Sequence, residues 1–308
     1  MFKSMYSFFR KKPKVIVILG PTSTGKTSLS VSIAQKYNGE IISADSRQVY
    51  KGLDLLSGKV TLEEKKDVEH YLLDVAELNE NFSVAEYKSE ATKAIEKIIE
   101  KQKTPIICGG TGFYIDTLIY DSVLPEVLPN LILRKKLEEK TTTELFKMLK
   151  QLDPRRSKNI DEKNRVRLVR ALEIAQELGK SPSARRVPKS PYKLLLIGLD
   201  MDDDILKKRI RRRIDERIKN GMIEEAKTLL SQGVSKEKLL LLGLDAGYGA
   251  KVALGEMDVD EMKEKLWSDT WKYVRRQRTW WKRNENIHWF SPMDVSNIQN
   301  KIEEFLSN

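Results

Sequence analysis

Five short apolar runs punctuate a chain otherwise rich in charge, at 15–19, 41–43, 105–108, 194–197 and Ile287–Phe290. Each is nearly continuous rather than alternating, as a strand covered on both faces should be, and helical or loop-like sequence separates it from the next. That is the rhythm of parallel βαβ units. Apolar positions at helical spacing predict helices behind the first run, across Val84–Glu100, around Arg165–Leu178, through 205–232 and across 257–282. Between about 121 and 161 the rhythm breaks: Pro125, Pro129 and Pro154 accompany charged helical stretches at 133–139 and 143–152, with no strand. The predicted organisation is an α/β core, 15–120 with 162–308, carrying a helical insertion at 121–161 and preceded by a basic lead-in, 1–14.

Composition adds a partner class. The 308 residues hold 56 Lys and Arg against 45 Asp and Glu, a formal net charge of +11, which in an enzyme of this size favours nucleic acid over a small acidic metabolite. A single cysteine, Cys108, excludes an intramolecular disulfide framework and fits a reducing cytoplasm, and His70 and His288 are too few for a zinc site. No run reaches membrane-spanning length, and the lead-in is too short in apolar residues for a secretory signal.

The first run leads directly into Gly20-Pro21-Thr22-Ser23-Thr24-Gly25-Lys26-Thr27, a complete G-x-x-x-x-G-K-[ST] phosphate loop. Its glycines let successive backbone N–H groups turn toward an anion, Lys26 adds a positive charge, and the Thr27 hydroxyl can ligate Mg2+. The expected fold is a P-loop kinase-like parallel sheet flanked by helices, and taken alone the loop suits ATP as well as any other di- or triphosphate. Ligands of such sheets collect beyond the carboxyl ends of the strands. After the second run stands Asp45-Ser46-Arg47-Gln48, with a carboxylate that can serve as general base, hold a metal-bound water or cap a helix. After the third stands Gly109-Gly110-Thr111-Gly112, which admits close approach of a ligand to the backbone. Further on, Arg209, Arg213 and Arg217 recur every fourth position and share one helix face beside core isoleucines. Near the end, Trp271, Tyr273, Arg275, Arg276, Arg278, Trp280 and Trp281 interleave rings with cations, a pattern suited to RNA, with Arg275, Arg276 and Gln277 as functional candidates and Trp280 as packing.

Taken in order, the phosphate loop, Asp45-Ser46-Arg47-Gln48-Val49-Tyr50, Gly109-Gly110-Thr111-Gly112-Phe113-Tyr114, Arg167-Leu168-Val169-Arg170-Ala171-Leu172-Glu173 and Arg276-Gln277-Arg278-Thr279-Trp280 resemble the tRNA dimethylallyltransferase (tRNA isopentenyltransferase) family. The likeness runs from about residue 15 to about residue 290. It implies transfer of a dimethylallyl group from dimethylallyl diphosphate to N6 of adenosine 37, next to the anticodon of tRNAs, with release of diphosphate. By that resemblance Gly20, Pro21, Thr22, Ser23, Thr24, Gly25, Lys26 and Thr27 hold the diphosphate and Thr27 carries Mg2+. Asp45 accepts the N6 proton, while Thr24, Lys26 and Arg213 act on the leaving group. The tRNA-facing positions fall on Asp45, Ser46, Arg47, Gln48, Thr111, Arg134, Val166, Arg167, Leu168, Val169 and Arg170, joined by Arg276 and Gln277, with Tyr114 a further contact. The implied partners are a tRNA anticodon stem-loop and dimethylallyl diphosphate, with no membrane, a monomeric state and a cytoplasmic location. Trp271 and Gly249 stand where the family usually has basic residues, which bears on substrate affinity. Two other readings share these residues: a small-molecule kinase in which Asp45 activates a hydroxyl and the insertion forms a lid, and an RNA-binding module that uses a nucleotide as a switch.

Overall fold

The computed structural model describes residues 11–120, 124–125, 127–179 and 189–308, so most of the expected lead-in lies outside the described residues. The chain divides into two compact units, Ser122–Pro188 and the remainder. The larger unit begins with β1 (Lys14–Leu19), α1 (Lys26–Lys36), β2 (Gly39–Ala44), α2 (Leu62–Lys65), β3 (His70–Tyr71), α3 (Val84–Glu100), β4 (Thr104–Gly109) and α4 (Gly112–Ile119). The smaller holds α5 (Leu131–Glu138), α6 (Thr142–Leu152), α7 (Pro154–Ser157) and α8 (Arg165–Leu178). The larger unit resumes with β5 (Lys193–Leu199), α9 (Asp203–Lys219), α10 (Met222–Ser231), α11 (Lys236–Leu241) and α12 (Leu244–Ala253), then α13 (Val259–Trp281), β6 (Ile287–Phe290) and α14 (Val295–Ser307).

One parallel sheet of six strands, in the order β3-β2-β4-β1-β5-β6, organises the larger unit. Alternate residues of β1 serve opposite faces. Val15, Val17 and Leu19 join Ile42, Ile107, Tyr87, Ile95 and Trp281 on one side, while Ile16 and Ile18 join Ile41, Ile106, Val31, Ile33, Ile298 and Ile302 on the other. With both faces covered, β1 and its neighbours read as nearly continuous apolar runs, while Glu40 and Ser43, the buried polar residues of β2, are hydrogen-bonded. α3 starts where Ser83 and Glu86 satisfy each other's backbone N–H groups in a capping box. A third cluster packs α9 to α13 around Val49, Leu53 and Leu56 of the long β2–α2 connection.

Three features differ from expectation. The helix expected at 205–232 is two, α9 and α10, because Gly221 sits at φ +101° between them. β3 pairs only His70 and Tyr71 with β2, too short a stretch to leave an apolar run. The smaller unit also extends past 161 to include α8, since Leu168, Leu172 and Ala175 pack against Leu145 and Leu149 of α6 and Leu137 of α5. Among the described residues no helix is long and apolar enough to cross a membrane.

Gly20, where β1 turns into the phosphate loop, lies at φ +137°, and a Cβ there would stand 2.2 Å from the Leu199 carbonyl oxygen. Gly20→Ala should therefore destabilise the larger unit by roughly 3 kcal/mol, from backbone strain and overpacking together. Urea denaturation of the two proteins measures the difference.

Candidate active site

Between the end of β1 and the start of α1 the chain turns through Gly20, Ser23 and Gly25, all at positive φ. Gly25 is the N-cap of α1 and no side chain caps that helix, so its first N–H groups are available to an anion. Thr22, Ser23, Gly25, Lys26 and Thr27 line a cleft of about 1290 Å³, with Thr27 exposed to it. Lys26 Nζ donates to the Pro21 carbonyl at 2.6 Å. Burial draws its ammonium down to about 8; Cys108 and Asp45 oppose that, and the Arg213 cation adds to it. Thr24 departs from expectation. It is fully buried and its hydroxyl donates to the Pro21 carbonyl at 2.8 Å, so the side chain braces the loop instead of reaching a leaving group. Gly20 and Pro21 likewise lie beneath the lining.

The ends of β2 and β4 supply the facing wall. Asp45 Oδ1 accepts the Arg47 N–H at 2.8 Å, which turns the chain and fixes the carboxylate, and the Ser46 N–H donates to Thr111 Oγ1 at 3.2 Å. Asp45, Ser46, Arg47, Gln48 and Thr111 all line the cleft. Gln48 is already engaged: its side-chain oxygen accepts the Ser43 hydroxyl at 3.1 Å and its amide donates to the Gly58 carbonyl at 3.1 Å. From α13, Tyr273 and Arg276 complete this wall, with the guanidinium 5.8 Å from the Tyr273 ring centroid. Burial, with the nearby Asp45 carboxylate, pushes the Tyr273 phenol up to about 12. Gln277, expected to face tRNA, lines the cleft and is also a brace within it. Only 5% exposed, it accepts the Thr22 N–H at 3.0 Å and donates to the Gly110 carbonyl at 3.0 Å, tying the phosphate loop to the end of β4. Tyr114 is also core, stacked on Tyr87 at 4.0 Å between centroids.

The three arginines of α9 separate by partner. Arg213 donates to the Thr22 hydroxyl at 3.1 Å and to the Gly58 carbonyl at 3.4 Å, and burial lowers its pKa. Arg209 reaches the Thr24 carbonyl at 3.5 Å. Arg217 is structural, bound to the Leu55 carbonyl at 2.6 Å and paired with Asp245 at 2.9 Å. One residue that the sequence did not reveal sets this arrangement. The Glu225 carboxylate, in the first turn of α10, accepts the N–H groups of Asp54, Leu55 and Leu56 at 3.0, 2.7 and 3.0 Å, holding the loop that presents Gly58 to Gln48 and Arg213. Its only sequence signal is an acid after a glycine, which reads as ordinary helix-dipole preference.

In the smaller unit, Arg134 grips the buried Glu173 carboxylate with two bonds of 2.7 and 3.0 Å, and Arg170 adds a third at 3.2 Å while also donating to the Val127 carbonyl. Burial pushes the Glu173 carboxyl up, but these arginines and the Asn130 N–H outweigh it and hold the group below the usual carboxylate range. Leu168 is core and Val169 packs against that core, so neither side chain is the exposed contact expected. Val166, 78% exposed, and Arg167 face solvent on this unit.

Two outcomes test the geometry. Because the folded-state pKa of Lys26 lies below its ordinary value, its buried charge disfavours folding below about pH 8, and that penalty relaxes as pH rises from about 8 toward 10.5. An anion in the loop draws the proton back, so inorganic diphosphate should bind with proton uptake at about pH 9 and with little from this group at about pH 7. Calorimetry in buffers of different ionisation enthalpy measures this, and Lys26→Arg, which does not titrate there, should abolish the difference. Glu225→Gln turns a donor toward backbone N–H groups; it should weaken inorganic diphosphate binding roughly tenfold through release of the Gly58 loop, read by the same titration.

The family model for IPP transferase matches residues 48–284. A relative from Alkaliphilus oremlandii, named tRNA dimethylallyltransferase, is 38% identical over 306 residues, covering 96% of this chain and 97% of its own. The crystal structure of the full-length tRNA isopentenylpyrophosphate transferase from Bacillus halodurans is similar at a TM-score of 0.72 and 33% identity, over 96% of this chain and 97% of that one. That of the tRNA delta(2)-isopentenylpyrophosphate transferase from Staphylococcus epidermidis is similar at 0.70 and 35%, over 95% of this chain and 100% of that one. With a family match over most of its length and relatives aligned along nearly all of it, the chain belongs to the IPP transferase family.

Proposed function

We propose that this chain transfers a dimethylallyl group from dimethylallyl diphosphate to N6 of adenosine 37 in tRNA, releasing diphosphate and working as a monomer in the cytoplasm. The relatives named tRNA dimethylallyltransferase suggest the reaction class. The observation that carries the reading is that Asp45, just beyond β2, and Lys26, at the head of α1, line one cleft, so a proton acceptor and an anion cradle face the same ligand-sized space. As N6 attacks the allylic carbon, the bond from that carbon to the diphosphate oxygen breaks and its electron pair leaves with the diphosphate. Asp45, oriented by the Arg47 N–H, takes the N6 proton. The loop N–H groups, Lys26 and Arg213 stand where negative charge develops.

No group of three or more His, Cys, Asp or Glu that could hold a metal occurs among the described residues. The exposed Thr27 hydroxyl at the head of α1 still suits Mg2+, a cation that keeps waters and takes phosphate oxygens as its other ligands. When bound, Mg2+ supplies charge neutralisation for the departing diphosphate. The target adenine reaches Asp45 only if extruded from its stack. Arg47, Thr111 and Arg276, which line the cleft, are the proposed RNA contacts there, with Val166 and Arg167 as candidate contacts on the smaller unit.

With an anticodon stem-loop, dimethylallyl diphosphate and Mg2+, nucleoside mass analysis should find the prenyl adduct on adenosine, with no ATP consumed. Asp45→Asn should lower kcat at least about 100-fold while diphosphate and stem-loop binding persist. An unchanged rate removes Asp45 as the base, and ATP turnover without an adduct replaces the whole reading with a kinase.

A further inference from the structure

Extruding one adenosine from a stacked loop strips its neighbour of a stacking face, and proteins that hold single-stranded segments replace that face with aromatic rings flanked by cations. Such a surface stands beside the cleft on the larger unit. Phe113, in the first turn of α4 and two residues beyond the cleft-lining Thr111, is 50% exposed. Its ring meets Trp280 edge-on at 6.4 Å between centroids. Trp280 is itself locked: its Nε1 donates to Asp116 Oδ2 at 3.0 Å, and the Arg283 guanidinium lies 3.8 Å from its ring centroid while pairing with Asp116. A Cβ on Gly112 would come within 2.4 Å of the indole, so α4 and α13 touch at that point. Tyr273, Arg276 and Trp280 follow at steps of three or four residues along α13 and so share one side, and Arg283, just past the helix end, lies against the Trp280 ring. A lone exposed phenylalanine needs no explanation. One braced by a fixed indole, on the helix face that carries Arg276 of the cleft wall, has the chemistry of a nucleobase seat.

We infer that Phe113 is a stacking platform for the nucleobase adjacent to the extruded adenosine, with Arg276 contacting a flanking phosphate. The inference rests on the proposed reaction with RNA. It is tested with an anticodon stem-loop carrying 2-aminopurine beside the target adenosine. The wild-type protein should quench the probe. Phe113→Ala should leave it bright and weaken stem-loop binding about 5- to 100-fold. Phe113→Tyr should stay within about twofold of wild type, and Phe113→Leu should behave as alanine does, because stacking needs a ring. Inorganic diphosphate affinity should be the same in all four proteins, which separates the platform from the phosphate loop. Quenching and binding by Phe113→Ala at the wild-type level, or by Phe113→Leu, overturn the platform. Wild-type protein that binds diphosphate but no stem-loop overturns the reading on which the platform rests as well.

Discussion

Lys26 and Arg213 are two partly buried cations lining one cleft, and the groups they hydrogen-bond are neutral. Lys26 meets a carbonyl, and Arg213 meets a hydroxyl and a carbonyl. Dipoles of this kind fix direction without cancelling charge, so burial lowers both pKa values and leaves positive potential for a polyanion to neutralise. Other arginines of the same region show the contrast. Arg211 pairs with Glu264, Arg217 with Asp245 and Arg278 with Asp200 and Asp203, and each is thereby committed to the fold. In so basic a chain, the chemistry of the partner separates a working cation from a structural one.

Holding uncompensated charge in place requires a stiff frame, and two side chains remote in sequence provide it. Gln277 spans the phosphate loop and the end of β4 with one amide, using its oxygen for the Thr22 N–H and its nitrogen for the Gly110 carbonyl. Glu225 gathers three consecutive backbone N–H groups, and the loop so fixed offers the Gly58 carbonyl to Gln48 and Arg213 together. Neither side chain lies between Lys26 and Asp45, yet both set the geometry on which the proposed proton and charge transfers depend.

The strands were legible because burial on both faces writes itself into sequence as an unbroken apolar run, and the phosphate loop because its backbone demands glycine at fixed spacing. Asp45 followed from its place after a strand. What was not legible is long-range hydrogen bonding: nothing local distinguishes Gln277 as a brace from Gln277 as a ligand contact, since a buried amide is chosen by partners 255 and 167 positions away. The break between α9 and α10 falls at Asn220-Gly221, where apolar residues at helical spacing on both sides read as one continuous helix. The edge of the smaller unit was missed for a related reason. An apolar stripe announces that α8 packs, and only the structure shows that α6 is what it packs on.

Helix geometry also limits what the stretch from Val166 to Arg170 can do. Successive residues point about 100° apart, so five in a row cannot all face one ligand. Leu168 turns inward as core, Val169 packs beside it, and Arg170 joins Arg134 on the Glu173 carboxylate. The motif Arg167-Leu168-Val169-Arg170-Ala171-Leu172-Glu173 is thus largely the specification of a small helical core with an ion cluster at its side. Arg170 and Arg134 share one buried negative charge, leaving the cluster one positive charge in excess. Among these five positions Val166 and Arg167 alone are exposed, so a surface that met RNA here would present one apolar side chain and one unburdened guanidinium, backed by the residual charge of the cluster.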